Sequence, residues 1–248
     1  MKWRLLPFAK HPAALNMAID EAVAEAVKGS RSPATIRFYG WEPSAVSIGC
    51  FQALEDEVDV EECARRGVDV VRRRTGGGAV YHDGKGEITY SVIVPEEAMG
   101  GDITSSYKQV CGWVIEALTA IGLTSSYVPI NDITVGGRKI SGCAQTRREG
   151  VFLQHGTVLY SLDLSTMFSV LRVGKEKVAD KGIASVQERV TAVSELSGVT
   201  MAELLRELQC SFLRWKEWYE TPLSGDEMVR ARELVVTRYG DPGWTRSR

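Results

Sequence analysis

The chain has 248 residues, a formal net charge of −2, a hydrophobic share of 44% and a charged share of 25%. These values are ordinary for a globular protein with a sizeable core, and a nearly neutral charge excludes a general polyanion binder, so we expect no nucleic-acid partner. No apolar run approaches the ~20 residues of a membrane span, and Lys10 and His11 interrupt the apolar start, so no signal peptide is evident. We therefore expect no membrane association and a cytoplasmic location, which five scattered cysteines without a C-x-x-C pair also favour.

The first half of the chain predicts alternating helices and strands. Apolar residues at helical spacing predict a helix over residues 13–28, which Gly29 ends. A short charged helix is predicted over residues 56–66, ended by Gly67. Alternating or continuously apolar segments predict strands over residues 35–39, 45–51, 68–71 and 87–94.

The second half predicts a hairpin and then mostly helices. Two short apolar segments flank Gly136-Gly137, which is a strong hairpin signal. Strands are predicted on either side of this hairpin, over residues 125–129 and 151–160. Capping boxes predict helix starts at Thr200 and Ser224, and the predicted helices cover residues 103–121, 164–171, 200–219 and 224–238.

This order of elements indicates the fold class. Strands and helices are interleaved at first, and helices dominate the end of the chain. We predict an α/β (α+β) fold, in which a mixed sheet is covered by helices on one or both faces, in one domain over residues 1–248.

The most informative polar pattern joins cations to glycines. Residues 72–74 are three arginines, Thr75 follows, residues 76–78 are three glycines, and His82 comes soon after. Consecutive glycines let a backbone approach a ligand closely, and free N–H groups on such a loop form an anion-binding concavity. Tyr81 stands where the dinucleotide fingerprint needs a glycine, and no Gly-Lys-Ser/Thr follows, so both common nucleotide motifs are excluded.

Two further polar groups lie at predicted turns or strands. Arg138 and Lys139 follow the Gly-Gly turn, and the segment His155-Gly156-Thr157 lies within the predicted strand over residues 151–160. Binding residues are often presented at such strand ends and turns. The three groups together offer cations, backbone donors, a carboxylate and two histidines.

The sequences of these polar groups resemble the motifs of a known protein family. The run from Arg73 to Asp83 resembles the signature of the lipoate–protein ligase and octanoyltransferase family, and Asn131-Asp132, Gly137-Arg138-Lys139-Ile140-Ser141-Gly142 and His155-Gly156-Thr157 match its later motifs in order. Asn16-Met17-Ala18 and Arg37-Phe38-Tyr39 are similar to its early segments, so the resemblance covers nearly the whole chain. It implies the fold shared with the biotin–protein ligase catalytic domain and class II aminoacyl-tRNA synthetases.

The resemblance also implies a reaction and its residues. A ligase of this family activates lipoate or octanoate with ATP and Mg²⁺ as acyl-AMP and transfers the acyl group to a carrier lysine; Lys139 matches its catalytic lysine. The residues expected to bind the nucleotide and acyl-adenylate are Arg73, Thr75, Gly76, Gly77, Gly78, Ala79, Asn131 and Asp132. The residues expected at the acyl end are His82, His155, Gly156 and Thr157, and Asp132 is the expected Mg²⁺ ligand.

Other roles stay open for several of these residues. A strand has two faces, so at most two of residues 72–74 can point into one site. Asn131-Asp132 is also the kind of pair that caps a local backbone turn, and an isolated histidine is more commonly a satisfied core residue.

Two alternative functions stay open as well. The family contains ATP-independent octanoyltransferases with a nucleophilic cysteine, which, in the type most like this chain, stands shortly before the segment matching residues 135–142. No cysteine occurs between Cys111 and Cys143, and we interpret Cys143 as a packing residue. A non-catalytic acyl- or nucleotide-binding protein is the third possibility, but it would be expected to lose Lys139 or the glycines.

The resemblance finally implies partners. The acyl acceptor is expected to be a lipoyl carrier, either a glycine cleavage H protein or a 2-oxoacid dehydrogenase E2 domain. Single-chain ligases of the family carry an extra C-terminal domain, and this chain ends about where the catalytic domain would end. We therefore expect a separate small accessory ligase subunit.

Overall fold

The computed structural model describes residues 1–172 and 189–247. The strands are β1 Lys2–His11, β2 Ala34–Trp41, β3 Ala45–Ile48, β4 Asp69–Arg72, β5 Val80–His82, β6 Glu87–Pro95, β7 Ser125–Val128, β8 Asp132–Val135, β9 Arg138–Arg148, β10 Val151–Leu159 and β11 Glu217–Glu220. The α-helices are α1 Ala13–Lys28, α2 Leu54–Glu57, α3 Val60–Arg66, α4 Ile103–Ala120, α5 Leu164–Val170, α6 Val193–Leu196, α7 Met201–Leu213, α8 Gly225–Leu234 and α9 Pro242–Arg246. A 3-10 turn covers Glu96–Met99, and a π-helical turn covers Val235–Tyr239.

Within these residues the strands form a large mixed sheet and a small one. The large sheet has eight strands in the order β11-β1-β2-β6-β10-β9-β8-β7. Strand β1 runs parallel to both β11 and β2, whereas the remaining neighbours are antiparallel. The small sheet has the order β4-β3-β5 and presents the glycines that follow β4.

Helices cover both faces of the large sheet. Successive strand residues point to opposite faces, so Phe38 packs in the core under α4 and α7, and Tyr39 packs in the core under α1 and α8. Both cores are almost fully buried. The predicted mixed sheet with flanking helices is therefore confirmed. Across the described residues, no helix has the length and apolar character needed to cross a membrane.

Many predicted elements are confirmed, among them the helix over residues 13–28 and the Gly-Gly hairpin between β8 and β9. Both turn glycines have positive φ, +56° at Gly136 and +78° at Gly137, as a two-residue hairpin turn requires.

Two predicted helices are wrong in part. The helix predicted over residues 200–219 ends at Leu213, Trp215 has a φ of +61°, and the chain then pairs with β1 as strand β11. The helix predicted over residues 56–66 is two short helices, because Val58 is extended and the Asp59 side chain accepts a hydrogen bond from the Glu62 N–H to begin the second.

Strand β1 was not predicted at all. Its sequence mixes cations with apolar residues, and the charge of the buried Arg4 is paired with Glu227 on α8. Because Glu227 is 223 residues away along the chain, this pairing leaves no pattern in the sequence around Arg4.

Candidate active site

A cavity of about 410 Å³ opens where the glycines after β4 and the strands β9 and β10 meet α5. This volume is in the range of small-molecule sites. The predicted residues that line it are Arg73, Gly77, Gly78, Ala79, His82, Asn131, Lys139, His155, Gly156 and Thr157. Thr75, Gly76 and Asp132 are not part of this lining, but each is next to or bonded to a residue that is.

The apolar part of the wall was not predicted as part of the site. Leu164, Met167 and Phe168 lie three and four residues apart on α5, so they share one helical face, and all three line the cavity. Leu159 and Leu171 extend this surface. The spacing in the sequence predicted a helix here, but not which cavity its apolar face would border.

Arg73 stabilises the glycine segment, residues 76–78, by hydrogen bonds to its backbone. The Arg73 guanidinium donates hydrogen bonds to the carbonyl oxygens of Gly76 (2.8 Å), Gly78 (2.7 Å) and Ser47 (3.0 Å). Burial lowers the pKa of Arg73 to about 10, so the group stays charged at neutral pH. Arg73 thus stabilises the loop, and its predicted contact with a phosphate stays a prediction.

The three successive arginines diverge. Arg73 lines the cavity. Arg72 points the other way and donates to the carbonyl oxygens of Gly49 and Thr245, which fixes α9 against β4. Arg74 pairs with Glu21 on α1 at 2.7 Å. Strand β4 ends at Arg72, so the path of the chain after the strand decides which of the three faces the site.

His82 lies between a hydroxyl and a carboxylate. Its Nε2 is 2.8 Å from the Ser47 Oγ, and its Nδ1 is 2.7 Å from the Glu87 Oε1. Its ring stacks on Trp41 with a centroid distance of 4.0 Å. His82 is therefore a satisfied buried residue that also lines the cavity.

His155 has the same kind of surroundings. Its Nε2 is 2.7 Å from the Thr75 Oγ1, and its Nδ1 is 3.5 Å from the Asp20 Oδ2. Burial lowers the pKa of His155, against the raising effect of Asp20. Burial raises the pKa of Asp20, but the hydrogen bond with His155 and the charge of Arg37 outweigh it, so that pKa is lowered overall.

The β8–β9 hairpin presents Lys139 with its ammonium already paired. Lys139 Nζ lies 2.7 Å from the Asp132 Oδ1. A Cβ on Gly142 would lie 2.7 Å from the same Nζ, so the lysine side chain crosses directly over that glycine. The Lys139 backbone donates to the Arg189 carbonyl at 2.7 Å and accepts from the Thr191 N–H at 2.9 Å.

The neighbouring Asn131 combines both roles considered from the sequence. Its side-chain Nδ2 donates to the Cys143 carbonyl at 2.6 Å, which is a local backbone cap, and the residue also lines the cavity.

Cys143 lines the cavity as a buried thiol. Its Sγ is 3.6 Å from the Cys111 Sγ and donates to the Asn131 carbonyl at 3.3 Å. The hydrogen bond with Cys111 and burial raise the pKa of Cys143 well above its usual value. The thiolate is the reactive form of cysteine, so this thiol is held in its unreactive form.

A magnesium ion would find few ligands here. Across residues 1–172 and 189–247, no cluster of three or more His, Cys, Asp or Glu side chains is arranged to hold a metal. Mg²⁺ is usually bound through one or two carboxylates together with substrate phosphates. Asp132 fits one such position, in competition with its ion pair to Lys139.

Sequence reasoning missed Asp20, Ser47 and Glu87, which support the two histidines. None lies in a recognised motif. Of these three, Asp20 could have been found from the sequence, because it is a carboxylate between Ile19 and Ala22 on the apolar face of the predicted first helix.

Comparison with known proteins decides the family. The model of the lipoyl protein ligase A/B catalytic domain matches residues 12–213. The chain belongs to this family. Its similarity to lipoyl protein ligase A/B relatives extends across the chain: an octanoyltransferase LipM of Brevibacillus brevis is 34% identical over 98% of both chains, and the LipM of Bacillus subtilis is 31% identical over 99% of this chain and 98% of its own.

Solved lipoyl protein ligases have the same fold. A chain of the bipartite lipoate protein ligase from Thermoplasma acidophilum has a TM-score of 0.89 and 32% identity, covering all of this chain and 98% of its own. The family predicted from the motifs is therefore confirmed, and its relatives include both octanoyltransferases and lipoate ligases.

Proposed function

We propose that this enzyme activates lipoate or octanoate with ATP to acyl-AMP and transfers the acyl group to a lysine of a lipoyl carrier domain. The observation that carries the proposal is the position of Lys139. Its ammonium lies in the wall of a cavity whose other sides are the glycine segment and the apolar face of α5. The glycine backbone is suited to a phosphate, and the apolar face of α5 is suited to an aliphatic chain. A cation between them therefore fits an acyl-AMP, in which a phosphate and an acyl group are joined as a mixed anhydride.

Similar solved structures support both substrates. A protein from T. acidophilum, with 30% identity and a TM-score of 0.83, was solved with bound lipoic acid. A lipoate–protein ligase A with 30% identity and a TM-score of 0.85 was solved with bound ATP.

The chemistry explains why a fixed cation is useful. A fatty-acid carboxylate is a poor electrophile, so one of its oxygens attacks the α-phosphorus of ATP and pyrophosphate leaves. The amine of the carrier lysine then attacks the acyl carbonyl, and AMP leaves. Negative charge develops first at the phosphate and then at the carbonyl oxygen, and the Lys139 ammonium offsets both. A Mg²⁺ ion bound by the phosphates would add Lewis-acid charge, with Asp132 as its protein ligand.

A second candidate is cysteine-dependent octanoyl transfer, which the names of the LipM relatives favour. Cys143 would be the nucleophile, since it is the cysteine that lines the described part of the cavity. Its raised pKa opposes this role, because a thiol that stays protonated attacks a thioester slowly. Purely non-catalytic binding is disfavoured, because Lys139 and the glycines both line the cavity.

One pair of incubations separates the two reactions. The purified chain is mixed with lipoate, ATP and Mg²⁺, and acyl-AMP is sought by mass spectrometry. In parallel it is mixed with an octanoyl thioester without ATP, and the mass of the intact protein is measured by mass spectrometry. We expect acyl-AMP in the first mixture, also from Cys143→Ala. Absence of acyl-AMP, together with an octanoyl adduct that Cys143→Ala loses, would establish the transferase instead.

The proposed acceptor is a lipoyl carrier domain, of the E2 or glycine cleavage H type. The T. acidophilum ligase is described together with its E2 lipoyl domain and as bipartite, which supports both this acceptor and a separate small accessory subunit. We place the enzyme in the cytoplasm with its carrier. The test is to assay the chain alone on a carrier domain with lipoate, ATP and Mg²⁺. Rapid and complete lipoylation without added protein would refute the accessory subunit, though not the ligase.

A further inference from the structure

A row of buried polar side chains is centred on Arg73, and five of its seven members line the cavity: Ser47, Arg73, His82, Glu87 and His155. All of its members are at most 7% exposed. We call it the Arg73 network; in order, it consists of Asp20, His155, Thr75, Arg73, Ser47, His82 and Glu87.

One arm of the network runs to Asp20. Arg73 Nε donates to the Thr75 Oγ1 at 3.1 Å, and that oxygen lies 2.7 Å from the His155 Nε2. The His155 Nδ1 then faces the Asp20 Oδ2 at 3.5 Å, which is long for a hydrogen bond. Asp20 itself is fixed by Arg37 at 2.8 Å.

The other arm runs to Glu87 and ends in a shorter contact between histidine and carboxylate. Arg73 Nη1 donates to the Ser47 Oγ at 3.1 Å, and that oxygen lies 2.8 Å from the His82 Nε2. The His82 Nδ1 lies 2.7 Å from the Glu87 Oε1. This arm makes the firmer connection.

Arg73 is compatible with one continuous arrangement of the protons. A guanidinium only donates hydrogen bonds, so the hydroxyl oxygens of Thr75 and Ser47 accept from it. Each hydroxyl proton is then free to point at the imidazole Nε2, which accepts it when that nitrogen carries no proton. Each histidine is in that case neutral with its proton on Nδ1, and it donates this proton to the carboxylate. One proton arrangement therefore satisfies both arms at once.

The remaining guanidinium nitrogen holds the glycine segment. Arg73 Nη2 donates to the carbonyl oxygens of Gly76 and Gly78, at 2.8 and 2.7 Å. The guanidinium is planar and rigid, so losing either arm lets the plane turn and loosens both carbonyl contacts.

We infer that Asp20 and Glu87 are positioning residues of this site: they fix His155 and His82 as neutral Nδ1–H imidazoles, and through Thr75 and Ser47 they fix Arg73 beneath the glycine segment. Neither carboxylate has to touch substrate. The inference rests on the proposed function only for its activity readout.

The protonation states can be measured without any activity. The chain contains three histidines, so ¹⁵N-histidine NMR gives a spectrum that His11→Gln assigns in part, since His11 lies outside the network. At neutral pH we expect His82 and His155 to show a protonated Nδ1 and a bare Nε2. An imidazolium, or an Nε2–H tautomer at either residue, would overturn the inference, whatever reaction the enzyme catalyses.

A substitution series tests the firmer arm. Glu87→Ala should remove the Nδ1–H preference of His82, leave the Nδ1–H tautomer of His155 unchanged and raise the KM for ATP about tenfold, the cost of one lost charge-assisted hydrogen bond. Glu87→Gln keeps a carbonyl acceptor, so it should restore the His82 tautomer and most of the KM.

Ser47→Ala keeps the test informative if Glu87→Ala fails to fold. It should leave the His82 tautomer intact, because Glu87 still accepts from Nδ1, and should raise the KM for ATP. Wild-type KM values in Ser47→Ala and in a folded Glu87→Ala would refute the positioning role. A wild-type enzyme that forms no acyl-AMP but shows the expected tautomers would refute the proposed function alone.

Discussion

The position of Lys139 is fixed by contacts with neighbouring residues rather than by burial of its side chain. Its side chain is 42% exposed, yet its ammonium is bound by Asp132 and its backbone is paired on one side with residues 189–191. Gly142 leaves the space that the lysine crosses, because any larger residue would carry a Cβ 2.7 Å from the ammonium. The sequence motif therefore contains both the cation and the gap that positions it.

Lys139→Ala should lower acyl-AMP formation by about 10²–10³, the usual cost of one preorganised charge contact. The melting temperature should hardly change, because the side chain is half exposed on a hairpin. Arg138→Ala is the matched control: it removes a neighbouring cation whose partner is the exposed Glu195 at 3.4 Å. Equal rates in the two variants would contradict the role of Lys139.

At the scale of elements, the backbone of the glycine segment packs closely against the backbone that follows β3. A Cβ on Gly49, just after β3, would lie 2.1 Å from the Gly77 carbonyl oxygen. Gly77 has a φ of +95°, which few other residues adopt. The loop therefore keeps its shape through the backbone after β3 on one side and Arg73 on the other.

Gly49→Ala should displace the glycine segment and destabilise the protein by about 1–3 kcal/mol, as overpacked sites do. Binding of ATP and lipoate, measured by calorimetry, should weaken in parallel. Gly78→Ala is the control on the same loop, since a Cβ there meets no atom within 4 Å and its φ is not positive. Equal losses in the two variants would show that backbone contact is not what shapes the loop.

At the scale of the whole molecule, a buried ion pair joins the sheet to a late helix. Arg4 on β1 donates two hydrogen bonds to Glu227 on α8, at 2.8 and 2.6 Å, and both side chains are nearly fully buried. Burial raises the pKa of Glu227, but hydrogen bonds from Arg4 and Ser32 outweigh it and lower that pKa to about 2.

This pair predicts how stability depends on acid. A carboxyl whose pKa falls on folding stabilises the folded state above its unfolded pKa, here the ordinary value of 4.5. The contribution, about 3 kcal/mol, is lost as the pH falls from 4.5 toward 2. Urea unfolding across this range should show the loss in the wild type and not in Glu227→Gln.

Glu227→Gln should also be less stable at neutral pH by about 3–5 kcal/mol, because it leaves Arg4 buried without a counter-charge. Glu217→Gln removes an exposed partner of Lys2, 3.8 Å away, and serves as the control. It should change neither the neutral stability nor the acid profile. A Glu227→Gln variant with the wild-type acid profile would refute this account.

Local patterns were sufficient for much of the fold. Apolar spacing predicted α1, and the Gly-Gly pair predicted the β8–β9 hairpin, because both signals lie within a few residues. The helix predicted to residue 219 failed because strand β11 forms against β1, a partner more than 200 residues away. Strand β1 was missed for the same reason, since the charge of the buried Arg4 is paired with Glu227.

By itself, the sequence determined the family and the part of the cavity wall that its motifs carry, since glycines, Lys139 and His155 stand in motifs with fixed spacing. Only the tertiary structure decided which arginine faces the cavity, because that depends on the path of the chain after β4, which ends at Arg72. It also decided that Asp20 and Glu87 support the two histidines. These carboxylates come from α1 and β6 and stand outside any motif, so folding brings them to their histidines.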